Sequence, residues 1–282
     1  MRTKIKLIVA IDLMFILLLS VAGIFDGWAW QVARAVVFIS LVALSFLAIL
    51  KLEKKDGSGR QVALPLGIGG RNLLLTLPTL APAVLLIFGV SALTSLILAA
   101  VGVGASTVPD APIFEMILIH ALIPAILEET LFRLVPMRAL APHSPGACVI
   151  LSAVFFAFIH CNLYSIPYAL VAGIIFMALD IAFDSIIPSL ILHTVNNTLS
   201  VIWIKYCDTP TRVATYLGVL GGVALVSAVV MILLRGKYKL SLSRIFEKKT
   251  DGGVTAADWA LPAVVLVGVC TLVAVLNIFT GV

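Results

Sequence analysis

The sequence predicts an all-α fold, a polytopic transmembrane helix bundle of about eight to nine spans. Two observations carry this. Hydrophobic residues make up 62% of the 282 and charged residues 12%, with a mean hydropathy of +1.18, whereas a soluble domain is roughly 45–50% apolar. The apolar runs are also continuous over about 20 residues instead of alternating over about ten, which selects helices over barrel strands.

Nine spans can be marked in order: 7–25, 30–50, 73–103, 113–138, 146–164, 167–183, 186–204, 213–234 and 259–280. The first, within "MRTKIKLIVAIDLMFILLLSVAG", has the basic head and apolar body of a signal peptide. It is longer than a usual signal core and more spans follow, so it is expected to stay as an uncleaved anchor, with Asp12 near the inner interface. Between spans two and three, "DGSGR" and "LGIGGRN" follow no strand and lack a Gly-Lys-Ser/Thr ending, so they read as loop punctuation and not as phosphate cradles. The third span is too long for one straight crossing and contains Pro78 and Pro82, which predicts a kinked or interfacial start. Three regions result: residues 1–112 with the N-terminal spans and a basic loop, 113–204 as a helical core, and 205–282 with the C-terminal spans.

Orientation follows from the 19 Lys and Arg. If the N-terminus is cytoplasmic, the clusters at Arg2–Lys6, Lys51–Arg71, Arg133–Arg138 and Arg235–Lys249 all fall inside, leaving only Lys205 and Arg212 outside and Arg34 within a span. That bias predicts N-terminus in, and nine spans then place the C-terminus out, in what is expected to be the cell membrane. The net charge of +5 is thus a matter of topology, and no nucleic-acid partner is expected. Membrane lipid is the expected surrounding. Of the four cysteines, none are paired at a short zinc-binding spacing. Cys161 and Cys207 fall near the same outer face, which leaves a disulfide between them open.

Charge inside a membrane span is costly and needs a reason. In "AILEETLFRLVP", Glu129 and Arg133 are four apart and share a helix face, whereas Glu128 is turned by about 100° toward another neighbour. Span five supplies Phe156 and His160 in "FAFIH", and span seven supplies His193 and Asn197 in "HTVNN", each pair also four apart. At about 1.5 Å per residue, Glu128 lies roughly 15 Å from the inner end of its span, His160 roughly 18 to 21 Å, His193 roughly 10 Å and Asn197 roughly 16 Å. The four groups share one layer on the cytoplasmic side of the bilayer middle, as a common site requires. The structural alternatives are an ion pair for Glu129 with Arg133 and interhelical hydrogen-bonding glue for the histidines and Asn197. His120, eight residues, about 80° of rotation and about 12 Å from Glu128, is too far for direct contact and is left out of the site, as are His143, Glu115 and Asp110.

"EETLFR", "FAFIH" and "HTVNN" resemble the ordered motifs E-E-x-x-x-R, F-x-x-x-H and H-x-x-x-N of the CPBP family, which includes type II CAAX prenyl proteases and bacteriocin-processing or immunity proteins, also called Abi. The resemblance covers roughly residues 113–204 and departs from many members at Leu134, where Arg-Gly is common. It implies an intramembrane endopeptidase acting on a membrane-associated protein or peptide. Glu128 with His160 would activate water, His193 and Asn197 would stabilise the oxyanion, and Glu129, Arg133 and Phe156 would support them. No cofactor is expected. Zinc is the nearest chemical rival, but H-E-x-x-H is absent and Asn197 is a poor ligand. A non-catalytic scaffold and a transporter are the readings from other classes.

Overall fold

The computed structural model describes residues 70–102, 111–141 and 144–233 continuously, with isolated positions between 36 and 51, at 67, at 245–246 and between 264 and 271. The described residues hold no strand, and the protein is an all-α membrane protein. Six helices cover the third to eighth expected spans. They are α1 (Gly70–Ala100), α2 (residues 113–139), α3 (Pro145–Phe158), α4 (Ser165–Phe183), α5 (Ile187–Tyr206) and α6 (Pro210–Leu233). The first, second and ninth expected spans lie wholly or mostly outside the described residues, as do Asp12, Asp110 and His143.

Among the described residues, four helical stretches are long and apolar enough to cross a bilayer: Thr76–Ala100 within α1, and all of α4, α5 and α6. Helix α1 is assigned as one helix of 31 residues that includes Pro78 and Pro82. Helix α3 is shorter than expected, at 14 residues, about 21 Å against a hydrocarbon core of about 30 Å. Its predicted continuation to 164 fails because Cys161 takes a left-handed backbone (φ 46°) and Asn162 Oδ1 accepts from Tyr164 N–H at 2.8 Å. The chain therefore turns at His160 and enters α4. Cys161 and Cys207 form no disulfide with each other.

Helix α2 is not uniform. Two π-helical turns, Leu118–Leu122 and Thr130–Leu134, alternate with α-helical pieces, and each is followed closely by a proline, Pro124 or Pro136. A proline inside an α-helix lacks the N–H that would bond the carbonyl four residues back and its ring collides with that carbonyl. A wider turn relieves the collision. At Pro136 the carbonyl concerned is that of Phe132, which instead accepts from the Ser152 hydroxyl and from Arg133 Nη1 at 3.2 Å.

The helices pack so as to bury a polar centre. Helices α3 and α4 cross so closely that a Cβ at Gly173 would lie 2.7 Å from Ala153 Cα. The buried core between α2, α3, α4 and α5 includes Phe132, Phe155, Phe156, Phe176, Met177 and Leu192. On the far side, Phe88 of α1, Trp203 of α5 and Tyr216 of α6 stack at centroid distances of 5.4–6.5 Å, and Tyr216 Oη donates to Leu199 O at 3.0 Å. Large apolar side chains such as Leu96, Val219, Leu225 and Leu233 stay exposed, as lipid solvation permits. In the last turn of α5, Lys205 Nζ donates to Ala111 O at 2.9 Å, tying this end to the start of α2. Exposed Asp208 there has its carboxyl held below the ordinary value, chiefly by the hydrogen bond from Arg212 Nη1 at 2.7 Å.

Candidate active site

The deepest polar feature is an ion pair on α2. Arg133 Nε lies 3.2 Å from Glu129 Oε2, with the two side chains 0% and 1% exposed. The four-residue spacing brings them together as a local matter. The rest of the guanidinium's environment is tertiary: Nη1 donates to Ser152 Oγ at 3.0 Å, and the Cζ atom sits 4.6 Å from the centroid of the Phe156 ring and 5.6 Å from that of Phe176. The two aromatic faces and the carboxylate together offset the cost of burying the cation.

The other oxygen of Glu129 reaches across to α5, where Oε1 is 2.7 Å from His193 Nδ1. A carboxylate only accepts, so Nδ1 carries the hydrogen and donates. Glu129 thereby links Arg133 to His193 and fixes the ring. His193 Nε2 is left on the opposite side, 3.8 Å from Glu128 Oε2. Glu128 itself is 24% exposed, in contrast to its neighbour.

His160 sits in the turn after α3. Its Nδ1 is 2.7 Å from Phe156 O, and since a carbonyl oxygen only accepts, Nδ1–H donates and Nε2 remains free for other contacts. Phe156 serves both histidines at once. Its ring meets His160 edge-on at 5.2 Å and His193 edge-on at 5.5 Å. The spacing of F-x-x-x-H thus puts one aromatic residue where its ring packs on two imidazoles and its carbonyl anchors one of them.

On α5, Asn196 Nδ2 donates to Asn197 Oδ1 at 3.4 Å. With its oxygen so engaged, Asn197 has its amide hydrogens left for another partner. Lower on the same helix, Ser189 N–H donates to Asp180 Oδ1 at 3.0 Å, so the fully buried side chain of Asp180 on α4 holds the first turn of α5, one turn before His193.

Glu128, His160, His193 and Asn197 all line one cavity of about 270 Å³. Glu129 and Arg133 lie behind its wall, and Phe156 forms part of it. The cavity also reaches Met116 and His120 on α2, Tyr168 and Phe176 on α4, and Asn196, Ser200 and Ile204 on α5. His120 was left out on α-helical geometry. The π-turn Leu118–Leu122 contains it, and a wider turn advances each residue by less than the α-helical step of about 100°, which swings His120 back toward the face of Glu128. The proline four residues on, Pro124, is the signal that could have revealed this. Glu115 is exposed and lies outside the cavity lining. Asp180, Ser189 and Ser152 had no local signal, because their partners come from other helices. Among the described residues no three His, Cys, Asp or Glu side chains are grouped to hold a metal ion.

Residues 110–199 match a family model described as "Type II CAAX prenyl endopeptidase Rce1-like". The matched stretch contains every residue of the three motifs, is consistent with a CPBP-family protease, and supports a CAAX-type intramembrane protease at the family level. No curated protein and no solved structure matches the chain.

Proposed function

We propose that the protein is an intramembrane endopeptidase of the CPBP type, which hydrolyses a peptide bond in a membrane-associated substrate using water activated by Glu128 and His160. The observation that carries this reading is the shared cavity of Glu128, His160, His193 and Asn197, with each histidine anchored through Nδ1 so that Nε2 is left for chemistry.

Peptide hydrolysis needs a base for water, donors for the developing oxyanion and a proton for the departing amine. The half-buried Glu128 takes the water proton and later delivers it to the amine. His160 Nε2 accepts from the same water and orients it. As the carbonyl carbon becomes tetrahedral, Asn197 Nδ2 and His193 Nε2 donate to its oxygen. Donation from Nε2 uses the ring with both nitrogens protonated, whose charge then lies between Glu128 and Glu129. Every step uses this chain's own side chains, and the proposed chemistry is metal-free.

The substrate class follows the family match: a protein or peptide held at the membrane, prenylated at a C-terminal Cys-aliphatic-aliphatic-X sequence or carrying a leader peptide. A quenched-fluorescence farnesylated peptide of that sequence, cleaved by purified protein in detergent or liposomes, is the direct test. Cleavage is expected with wild type and is expected to be lost in Glu128→Gln, with metal analysis of the active preparation showing no stoichiometric zinc. A fully active Gln variant would exclude Glu128 as base. Stoichiometric zinc would replace the metal-free mechanism.

A further inference from the structure

His120 lines the reaction cavity but stands outside the mechanism just described. It lies in the π-turn Leu118–Leu122, is exposed, and has no hydrogen-bond or ion-pair partner among the described residues. The course of the cavity shows what can reach it. On α2 the lining consists of Glu128 and of Pro124, His120 and Met116 before it, and on α5 it starts at His193 and ends at Ile204. The two helices run antiparallel, with Glu128 beside His193 and, further along, Lys205 bonded to Ala111. The cleft between them therefore leaves the reacting groups in one direction, toward the Lys205 end.

Length and polarity identify the occupant. His120 is eight residues before Glu128, about 12 Å along the helix axis, and both side chains lean toward the helix start, which keeps that separation. Three residues of extended chain span about 10–11 Å. The stretch between is flanked by apolar Pro124 and Val201, and the Ser200 hydroxyl there is engaged with Asn196 O at 3.0 Å. An imidazole N–H at the end of an apolar cleft is suited to a terminal anion, since imidazole donates in either protonation state and a bond to a carboxylate is charge-assisted. Of the two sides of a cleaved peptide bond, only the released C-terminal side ends in a charge at a fixed distance. In a Cys-aliphatic-aliphatic-X sequence cut after the Cys, two apolar side chains precede a carboxylate three residues from the scissile carbonyl.

We propose that His120 is a substrate-binding residue that donates a hydrogen bond to the free C-terminal carboxylate of a three-residue segment released from the substrate. This rests on the endopeptidase reading and narrows it to substrates that end three residues beyond the cleaved bond.

The test uses the full-length protein and three farnesylated peptides: one ending in Cys-aliphatic-aliphatic-X with a free carboxylate, the same peptide as its C-terminal carboxamide, and one extended by a single residue. Cleavage is followed by chromatography of the released fragment. In wild type, the carboxamide and the added residue are each expected to raise KM about tenfold, as for loss of a hydrogen bond to a charged group, with kcat changed less than about twofold, as expected for uniform binding. His120→Ala and His120→Phe, the second keeping a ring without the N–H, are expected to raise KM for the free acid by a similar factor and to treat acid and carboxamide alike. Equal KM for acid and carboxamide in wild type, or a preference for the acid that persists in the variants, overturns the proposal while leaving the endopeptidase reading in place. Misfolding of both variants would assign His120 to the fold and overturn it as well. Failure of wild type to cleave any of the three peptides removes the endopeptidase reading and this contact with it.

Discussion

Glu128 and Glu129 differ by one position, which on a helix is about 100° of rotation, and that rotation separates a half-buried group lining the cavity from a fully buried one behind it. Glu129 bridges Arg133 and His193 at 3.2 and 2.7 Å, so Glu129→Gln leaves a buried guanidinium short of its counter-charge and His193 with a weaker anchor. Breaking a buried pair from one side costs about 3–5 kcal/mol. Glu129→Gln is therefore expected to unfold at markedly lower temperature in detergent, measured by scanning fluorimetry, and to lose cleavage as well. Glu128→Gln is expected to keep the wild-type unfolding temperature, because its side chain is 24% exposed and its oxygen stays 3.8 Å from His193 Nε2, beyond hydrogen-bond range. Equal destabilisation by the two substitutions would count against the division of roles. The pairing of Glu129 with Arg133 was legible in the sequence, since four-residue spacing is a local rule. The bond from Glu129 to His193 was not, because it joins residues 64 apart and depends on how α2 and α5 rotate against each other.

Helix α2 shows where periodicity alone misplaces a residue. Helical extent was legible, with the expected span of 113–138 matching the observed 113–139. A rise of about 12 Å over eight residues and a constant step of rotation set His120 apart from Glu128; the π-turn before Pro124 changes the rotation, and His120 is among the residues lining the same cavity. The end of α3 was overestimated for a related reason: Cys161 adopts a left-handed backbone that no apolar pattern records. The approach of α3 to α4 is equally invisible in one sequence, yet it has a sharp consequence. Gly173→Ala would put a Cβ 2.7 Å from Ala153 Cα, an atom of the backbone that cannot rotate away. The two helices must separate, which moves Phe176 of α4 and Phe156 of α3 relative to the guanidinium they enclose. Overpacking of this kind costs about 1–3 kcal/mol. A lowered unfolding temperature with reduced cleavage is expected for Gly173→Ala, while Gly89→Ala, with nothing within 4 Å of the added atom, is expected to resemble wild type. A neutral Gly173→Ala would mean that the crossing is looser than the close approach implies.

Across the whole molecule, the distribution of charge and the course of the described helices bear on the same question, which end of the bundle is cytoplasmic. Lys205 reaches Ala111 O, so the end of α5 and the start of α2 share one face of the bundle, with exposed Asp208 and Arg212 beside them. Arg133 and Arg138 lie at the opposite end of α2. The excess of cations at that opposite end, with the basic clusters at Arg2–Lys6, Lys51–Arg71 and Arg235–Lys249 assigned to the same side, predicts a cytoplasmic face there by the positive-inside rule. Cys207 offers a native probe, because it is a free, half-buried thiol next to Asp208. In a variant carrying Cys161→Ala and Cys270→Ser, with Cys148 fully buried, a membrane-impermeant maleimide is expected to modify Cys207 in intact cells without permeabilisation. Labelling only after permeabilisation would reverse the orientation and put the Lys205 end of the bundle on the cytoplasmic side.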